Sequence, residues 1–232
     1  MDQVMLGVMW YLIFLLSTAM HEAAHAWAAR RLGDPTAYEG GQVSLDPWPH
    51  IQREPIGMVA MPILSLVVSG FPIGWASAPY DPYWADRYPR RAGLMAIAGP
   101  AANLLLVLVA TLAIHAGLLA GVFESPGYAR MALVTTATSD GFAFCLARTL
   151  SMLFSLNLLL ASFNLLPLPP LDGSAALALV MHEDSARKLQ AFAMQPGVSM
   201  LGLMVAWQVF DPLFHPIFTV ALNLLYPGVY YG

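Results

Sequence analysis

The residues that can do chemistry in this sequence are concentrated in His21-Glu22-Ala23-Ala24-His25, set inside an apolar run. On an α-helix, residues four apart share a face, so the two imidazoles can grip one metal ion together. Glu22, one step round, can reach a water on that metal. Two neutral imidazoles, an open position for water and a carboxylate to take its proton make up the zinc-hydrolase pattern. Two ligands do not hold a catalytic zinc, so the pattern demands a third from elsewhere. The rival reading is a chance match of three fixed positions in a core helix. The setting weighs against it: Leu12 to Leu16 precede the motif, Ala26 to Ala29 follow it, and ionisable groups are expensive in such surroundings.

The second informative stretch is Asn164-Leu165-Leu166-Pro167-Leu168-Pro169-Pro170-Leu171-Asp172-Gly173. Prolines at 167, 169 and 170 cannot continue a regular helix, because each lacks an N–H and clashes with the preceding turn. Opened backbone in lipid leaves carbonyls unpaired, so the stretch is expected to line a wet, protein-walled cavity. Asp172, an acid between Leu171 and Gly173, calls for a cation or a partner, and the two histidines lack a ligand.

The elements that must bring these stretches together are membrane helices. The chain has 232 residues, 58% hydrophobic and 10% charged, with mean hydropathy +0.63. Soluble domains are nearer about 45–50% apolar and about 25% charged. The predicted fold is therefore an all-α polytopic membrane protein, one membrane-embedded domain over 1–232. It has about five to six transmembrane or re-entrant helices and a small interfacial β element after the first. A net charge of −4 with ten Lys and Arg excludes a nucleic-acid surface, which needs a clustered basic face. The single cysteine, Cys145, excludes an intrachain disulfide and a cysteine zinc cage.

Residues 4–31 form the metal-motif helix, read as retained and not as a signal peptide. It ends in Arg30-Arg31, which places its motif in the cytoplasmic half. Region 32–91 is polar, interfacial and re-entrant, with a strand pair expected around Gln42 to Leu45. A full crossing over 55–75 would put Arg87, Arg90 and Arg91 outside, so this segment is expected to enter and return on one side, or to lie as a short tilted element. A helix at 92–121 contains Asn103, and another at 141–166 leads into the broken Asp-bearing segment 164–186. One kinked span or two half-spans cover 197–227. Tyr226, Tyr230 and Tyr231 suggest an interfacial aromatic belt, and Arg148 a snorkelling side chain. His50 is a minor candidate for the site, whereas His115, His182 and His215 suit packing or interfacial roles.

Three motifs in order resemble the site-2 protease family of intramembrane zinc metalloproteases: His21-Glu22-x-x-His25, Gly99-Pro100-x-x-Asn103, and Asn164-x-x-Pro167-x-Pro169-x-Leu171-Asp172-Gly173. Gly74-Trp75-Ala76 followed by Arg90-Arg91 is similar to small bacterial members. The resemblance implies one zinc per chain on His21, His25 and Asp172, with Glu22 as the catalytic carboxylate. It also implies a membrane-protein substrate cleaved in or near a transmembrane segment, in regulated intramembrane proteolysis. Asn164, Asn103, Trp75 and Ala76 are the candidate substrate-binding residues. The expected location is a bacterial inner membrane with the active site in its cytoplasmic half. The chain leaves no room for a PDZ domain or a CBS pair, so selection falls to the membrane core, the 32–91 region or a separate partner; a homo-oligomer or a separate regulatory partner is the expected association. The alternatives are a non-proteolytic scaffold of the same fold, and a transporter using the buried Glu, Asp and His as an ion relay.

Overall fold

The computed structural model describes residues 3–195 and 197–232. Helix α1, Gln3–Leu32, carries the His-Glu motif and buries Trp10, Ile13, Phe14, His21, Glu22 and His25 on its inner side. After it come two short helices, α2 (Thr36–Glu39) and α3 (Pro47–Arg53). Helix α3 starts where Pro47 takes the first helical position and the Asp46 carboxylate accepts from Trp48 N at 2.9 Å. A π-helical turn, Ile56–Ala60, runs into α4, Met61–Ser69, which Gly70 ends in the left-handed conformation.

Residues 56–69 lie at 116° to α3. The chain then returns in extended form: Ile73 N donates to Ser65 Oγ, Trp75 N to Gly57 O, and Ser77 Oγ to Glu54 Oε1. Because Ser77 comes back beside Glu54, the excursion begins and ends at the same level. Residues 56–77 thus form a hairpin that turns back on itself. No strand forms at 42–45. There Gln42 and His50 instead donate to the carbonyls of Pro49 and Ser44, and side-chain hydrogen bonds close the loop in place of a ladder.

Helix α5 (Pro82–Arg87) leads through Tyr88 into α6, Pro89–Leu119, and α7 spans Phe142–Asn164. Between α6 and α7 lies the two-strand ladder, β1 (Phe123–Glu124) antiparallel to β2 (Thr136–Ala137). The β element thus sits on the loop after α6 and not after the first helix. Past Asn164 the three prolines open the backbone as expected, and the chain re-forms as α8, Asp172–Ala176, with a 3-10 turn over Leu177–Leu179. Helices α9 (Glu183–Ala193) and α10 (Val198–Leu225) complete the chain, α10 continuing unbroken through Pro212 and Pro216.

α1, α6, α7 and α10 are each long and apolar enough to cross a membrane, and the bent α3–α4 pair is a fifth candidate. The architecture is all-α and polytopic. Three apolar clusters hold the described residues: Trp10, Phe14, Met58, Met152 and Leu156 join α1 to α7 and the hairpin, Ile114, Phe154, Phe214 and Phe218 join α6, α7 and α10, and Ala28, Ala29, Trp84 and Met95 join α1, α5 and α6. The loop between α6 and α7 is pinned from below. Tyr226 Oη donates to Val134 O, Tyr231 Oη to Pro126 O, and Arg148 Nη1 to Ala132 O. Tyr226 and Tyr231 are therefore buried anchors, and only Tyr230 stays exposed as a belt residue would.

Candidate metal centre

Helix α1 sets His21 and His25 one turn apart on its buried face, and both side chains turn toward α6. His25 Nδ1 lies 2.8 Å from the carbonyl oxygen of Met95. A carbonyl only accepts, so in the neutral imidazole, the form that binds a metal, Nδ1 carries the proton and Nε2 keeps its lone pair. His21 is fixed in the same tautomer by a relay of hydrogen bonds through two asparagines. Asn157 Nδ2 donates to Leu153 O and to Ser17 Oγ, so its Oδ1 faces Asn103. Asn103 Nδ2 then donates to Asn157 Oδ1 at 2.8 Å and to Ser17 O, which turns Asn103 Oδ1 toward His21 Nδ1 at 2.6 Å. The acceptor-only carbonyls of Leu153 and Ser17 decide both amide orientations. His21 Nδ1 donates, and its Nε2 is bare.

The two bare Nε2 atoms lie 2.9 Å apart. Asp172 Oδ2 joins them from α8, at 3.1 Å from His21 Nε2 and 3.3 Å from His25 Nε2. That oxygen is buried and makes no hydrogen bond. Three electron-rich atoms within 4.8 Å of one another repel unless a cation lies among them. The donor set, two imidazole nitrogens and one carboxylate oxygen, is that of a hydrolytic zinc site with a position left for water. The residues fit the metal.

Two glycines make the convergence sterically feasible. A Cβ on Gly99 of α6 would run into Nε2 of both histidines, so this residue must be glycine for α6 to form the floor of the site. A Cβ on Gly173 would strike the carbonyls of Leu165 and Leu166, so Asp172 can reach inward only because its neighbour has no side chain. Pro100 follows Gly99 and has no N–H for the Ala96 carbonyl, which belongs to a cavity-lining residue.

The three residues open into a cavity of about 410 Å³. Glu22 lines it, 5% exposed, and its carboxylate hydrogen-bonds to no described residue. A buried carboxylate without a structural partner, beside a metal-ligand set, is equipped for proton transfer. Ala76 and Asn164 also line the cavity, and Asn164 Nδ2 donates back to Leu160 O. Trp75 is not in the wall. Its N–H is spent on Gly57 and its indole packs over that glycine.

Asn103 does not line the cavity. It is fully buried and each of its amide groups is committed, so it stands behind His21 as an orienting residue. His50 is held by Ser44 outside the cavity. Asn157 and Ser17 were not visible as functional residues in the sequence. A lone Asn in the apolar run of α7 was the available signal, and Met95 acts through a backbone carbonyl, which leaves none.

The profile of Peptidase family M50 matches residues 9–207, taking in the motifs on α1, α6 and the proline loop. The chain belongs to peptidase family M50. A Bacillus subtilis protein named "Putative zinc metalloprotease YwhC" is 37% identical to this M50 chain over 172 residues, 72% of it and 68% of the relative. Proteins named "Putative zinc metalloprotease Rip2" from Mycolicibacterium smegmatis and Mycobacterium tuberculosis are 28% and 30% identical. Each of those matches takes in 76% of this M50 chain and 58% of the relative, so the chain spans somewhat more than half the mycobacterial proteins' length. No solved structure matches significantly.

Proposed function

We propose that this M50 peptidase is a zinc-dependent endopeptidase that cuts other membrane proteins in or near their transmembrane segments. The observation that carries the reading is the convergence of His21 Nε2, His25 Nε2 and Asp172 Oδ2 beside Glu22, which has no hydrogen-bond partner among the described residues.

Zinc held by these three residues supplies Lewis acidity, polarising a peptide carbonyl and bringing the pKa of water to about 7. Glu22 accepts the proton that water loses as its oxygen attacks the carbonyl carbon. It then returns that proton to the amide nitrogen as the C–N bond breaks, so the amine leaves neutral and the carboxylate is regenerated. Asn103 and the Met95 carbonyl keep the Nε2 lone pairs on the metal side throughout.

A helical substrate hides its carbonyls in its own hydrogen bonds and must open before attack. The return strand of the hairpin offers somewhere to hold it open. Ala76, Ser77, Ala78 and Tyr80 line the cavity in extended conformation, and none of their N–H groups has a partner among the described residues. An extended peptide can pair along this edge, in the cavity that Asn164 also lines.

Orientation follows from charge. Arg30, Arg31, Arg53, Arg87, Arg90, Arg91, Arg187 and Lys188 belong to elements at the motif end, against Arg130 and Arg148 at the other. The positive-inside tendency puts the motif end in the cytoplasm, of a bacterial inner membrane given the relatives. His25 is seven residues from the end of α1, about 10 Å of helix at 1.5 Å per residue, so the site lies inside the cytoplasmic leaflet.

The test is zinc content of the detergent-purified protein together with cleavage of a model transmembrane substrate by wild type and Glu22→Gln. Zinc in both and cleavage by wild type alone is the expected result. A folded protein that takes up no zinc overturns the reading, and zinc without cleavage by either protein across a substrate panel points to the scaffold.

A further inference from the structure

The cavity beside the metal ligands is walled by short side chains. Nine of the 25 residues that line it are alanines, contributed by the return strand of the hairpin, α5, α6, α8 with its 3-10 turn, and α9. Along α6, Gly99 lies against both imidazoles, and Ala96 and Ala92 stand three and seven residues before it on the same face. Along α8, Ala175 stands three residues after Asp172. Three residues of helix rise about 4.5 Å, so Ala96 and Ala175 lie one turn from the metal-binding groups on two different elements. The close approach of α6 to α8 does not require these alanines. It is provided by Gly93, on another face of α6, where a Cβ would lie 3.2 Å from the carbonyl oxygen of Ala175.

Each alanine presents only a methyl group, and the space left between them is about 410 Å³, within the range of cavities that bury small ligands. Met95, Leu171 and Leu189 add apolar surface, and no lysine or arginine among the described residues lines it. Glu22 opens into the same space, 5% exposed and with no hydrogen-bond partner among the described residues, which marks the cavity as the place where a reacting group is received. We infer that this space is a side-chain subsite, and that Ala96 and Ala175 make the protein select a bulky apolar residue, leucine, methionine or phenylalanine, next to the bond it cuts. The inference rests on the proteolytic reading. Successive Cα atoms are about 3.8 Å apart, so a carbonyl held at the metal brings the side chain beside it within reach of the first turn of both walls. A leucine or larger side chain there exchanges water for contact with the methyl groups, whereas glycine or alanine leaves the space unfilled. An isobutyl group in place of the methyl at either position takes that room away.

Binding of zinc-chelating probes tests the subsite apart from turnover. The full chain, purified in detergent with zinc bound, is titrated by calorimetry with hydroxamates that carry hydrogen, methyl, isobutyl or benzyl beside the chelating group, one series with the side chain on the acyl side and one with it on the amine side. In at least one series the isobutyl and benzyl compounds should bind about 10-fold or more tightly than the hydrogen compound. Ala175→Leu, at an exposed position that accepts the larger side chain, and Ala96→Leu should each abolish that preference. Equal affinity across both series in the wild type, which needs no variant to fold, or a preference that both variants retain, would overturn the inference. Cleavage of model transmembrane substrates with glycine, alanine or leucine on each side of the scissile bond keeps the two readings apart. Cleavage indifferent to the side chain removes the subsite and leaves the peptidase. Graded hydroxamate binding without cleavage of any substrate supports the subsite and removes the proteolytic reading.

Discussion

His21 Nδ1 and Asn103 Oδ1 lie 2.6 Å apart, joining α1 to α6 across 82 residues of sequence. This contact decides which nitrogen of His21 is free to bind a metal. It is held by Asn157 and Ser17, so the ligand's orientation depends on Ser17, Asn103 and Asn157, one residue from each of three helices, none of which lines the cavity. Four measurable consequences come from this and neighbouring contacts.

Asn103→Ala removes the acceptor and frees His21 to change tautomer or rotate. Zinc affinity, measured by competition with a chelator, should fall about 10–100-fold. Asn103→Asp keeps an acceptor toward Nδ1 and should retain more affinity than Asn103→Ala.

Gly99→Ala places a methyl group where both Nε2 atoms sit. The imidazoles must swing away from Asp172, so bound zinc should be lost in the purified protein while far-UV circular dichroism stays helical. Retention of stoichiometric zinc would contradict the close approach of α6.

Glu22→Gln is nearly isosteric but cannot accept a proton. Turnover of a model substrate should drop by about 10²–10⁴, the range for a lost general base, with zinc content unchanged.

Tyr226, just beyond α10, gives a pH dependence. Burial pushes its phenol up to about 12, against about 10 in an unfolded chain. A raised folded-state value means stability is fully present below about pH 10 and is lost as pH rises toward about 12. Thermal unfolding in detergent should show that decline, and Tyr226→Phe should flatten it at a cost of about 1 kcal/mol for the bond to Val134.

The sequence by itself determined the class and the chemical core. Its hydropathy demanded membrane helices, helical periodicity put His21 and His25 on one face, and the prolines at 167, 169 and 170 required the backbone to open beside Asp172. Those features are local: they depend on composition, on one turn of helix, or on missing N–H groups. Tertiary structure alone decided the rest. That 56–81 turns back, that the β ladder forms after α6, and that Asn103 supports His21 from outside the cavity all depend on groups distant in sequence. Trp75 left the candidate site for the same reason, because its N–H found Gly57 O. Which nitrogen of a histidine is free is set by the atom opposite it. For His25 that atom is the backbone carbonyl of Met95, a group every residue possesses, so no residue type could have announced it.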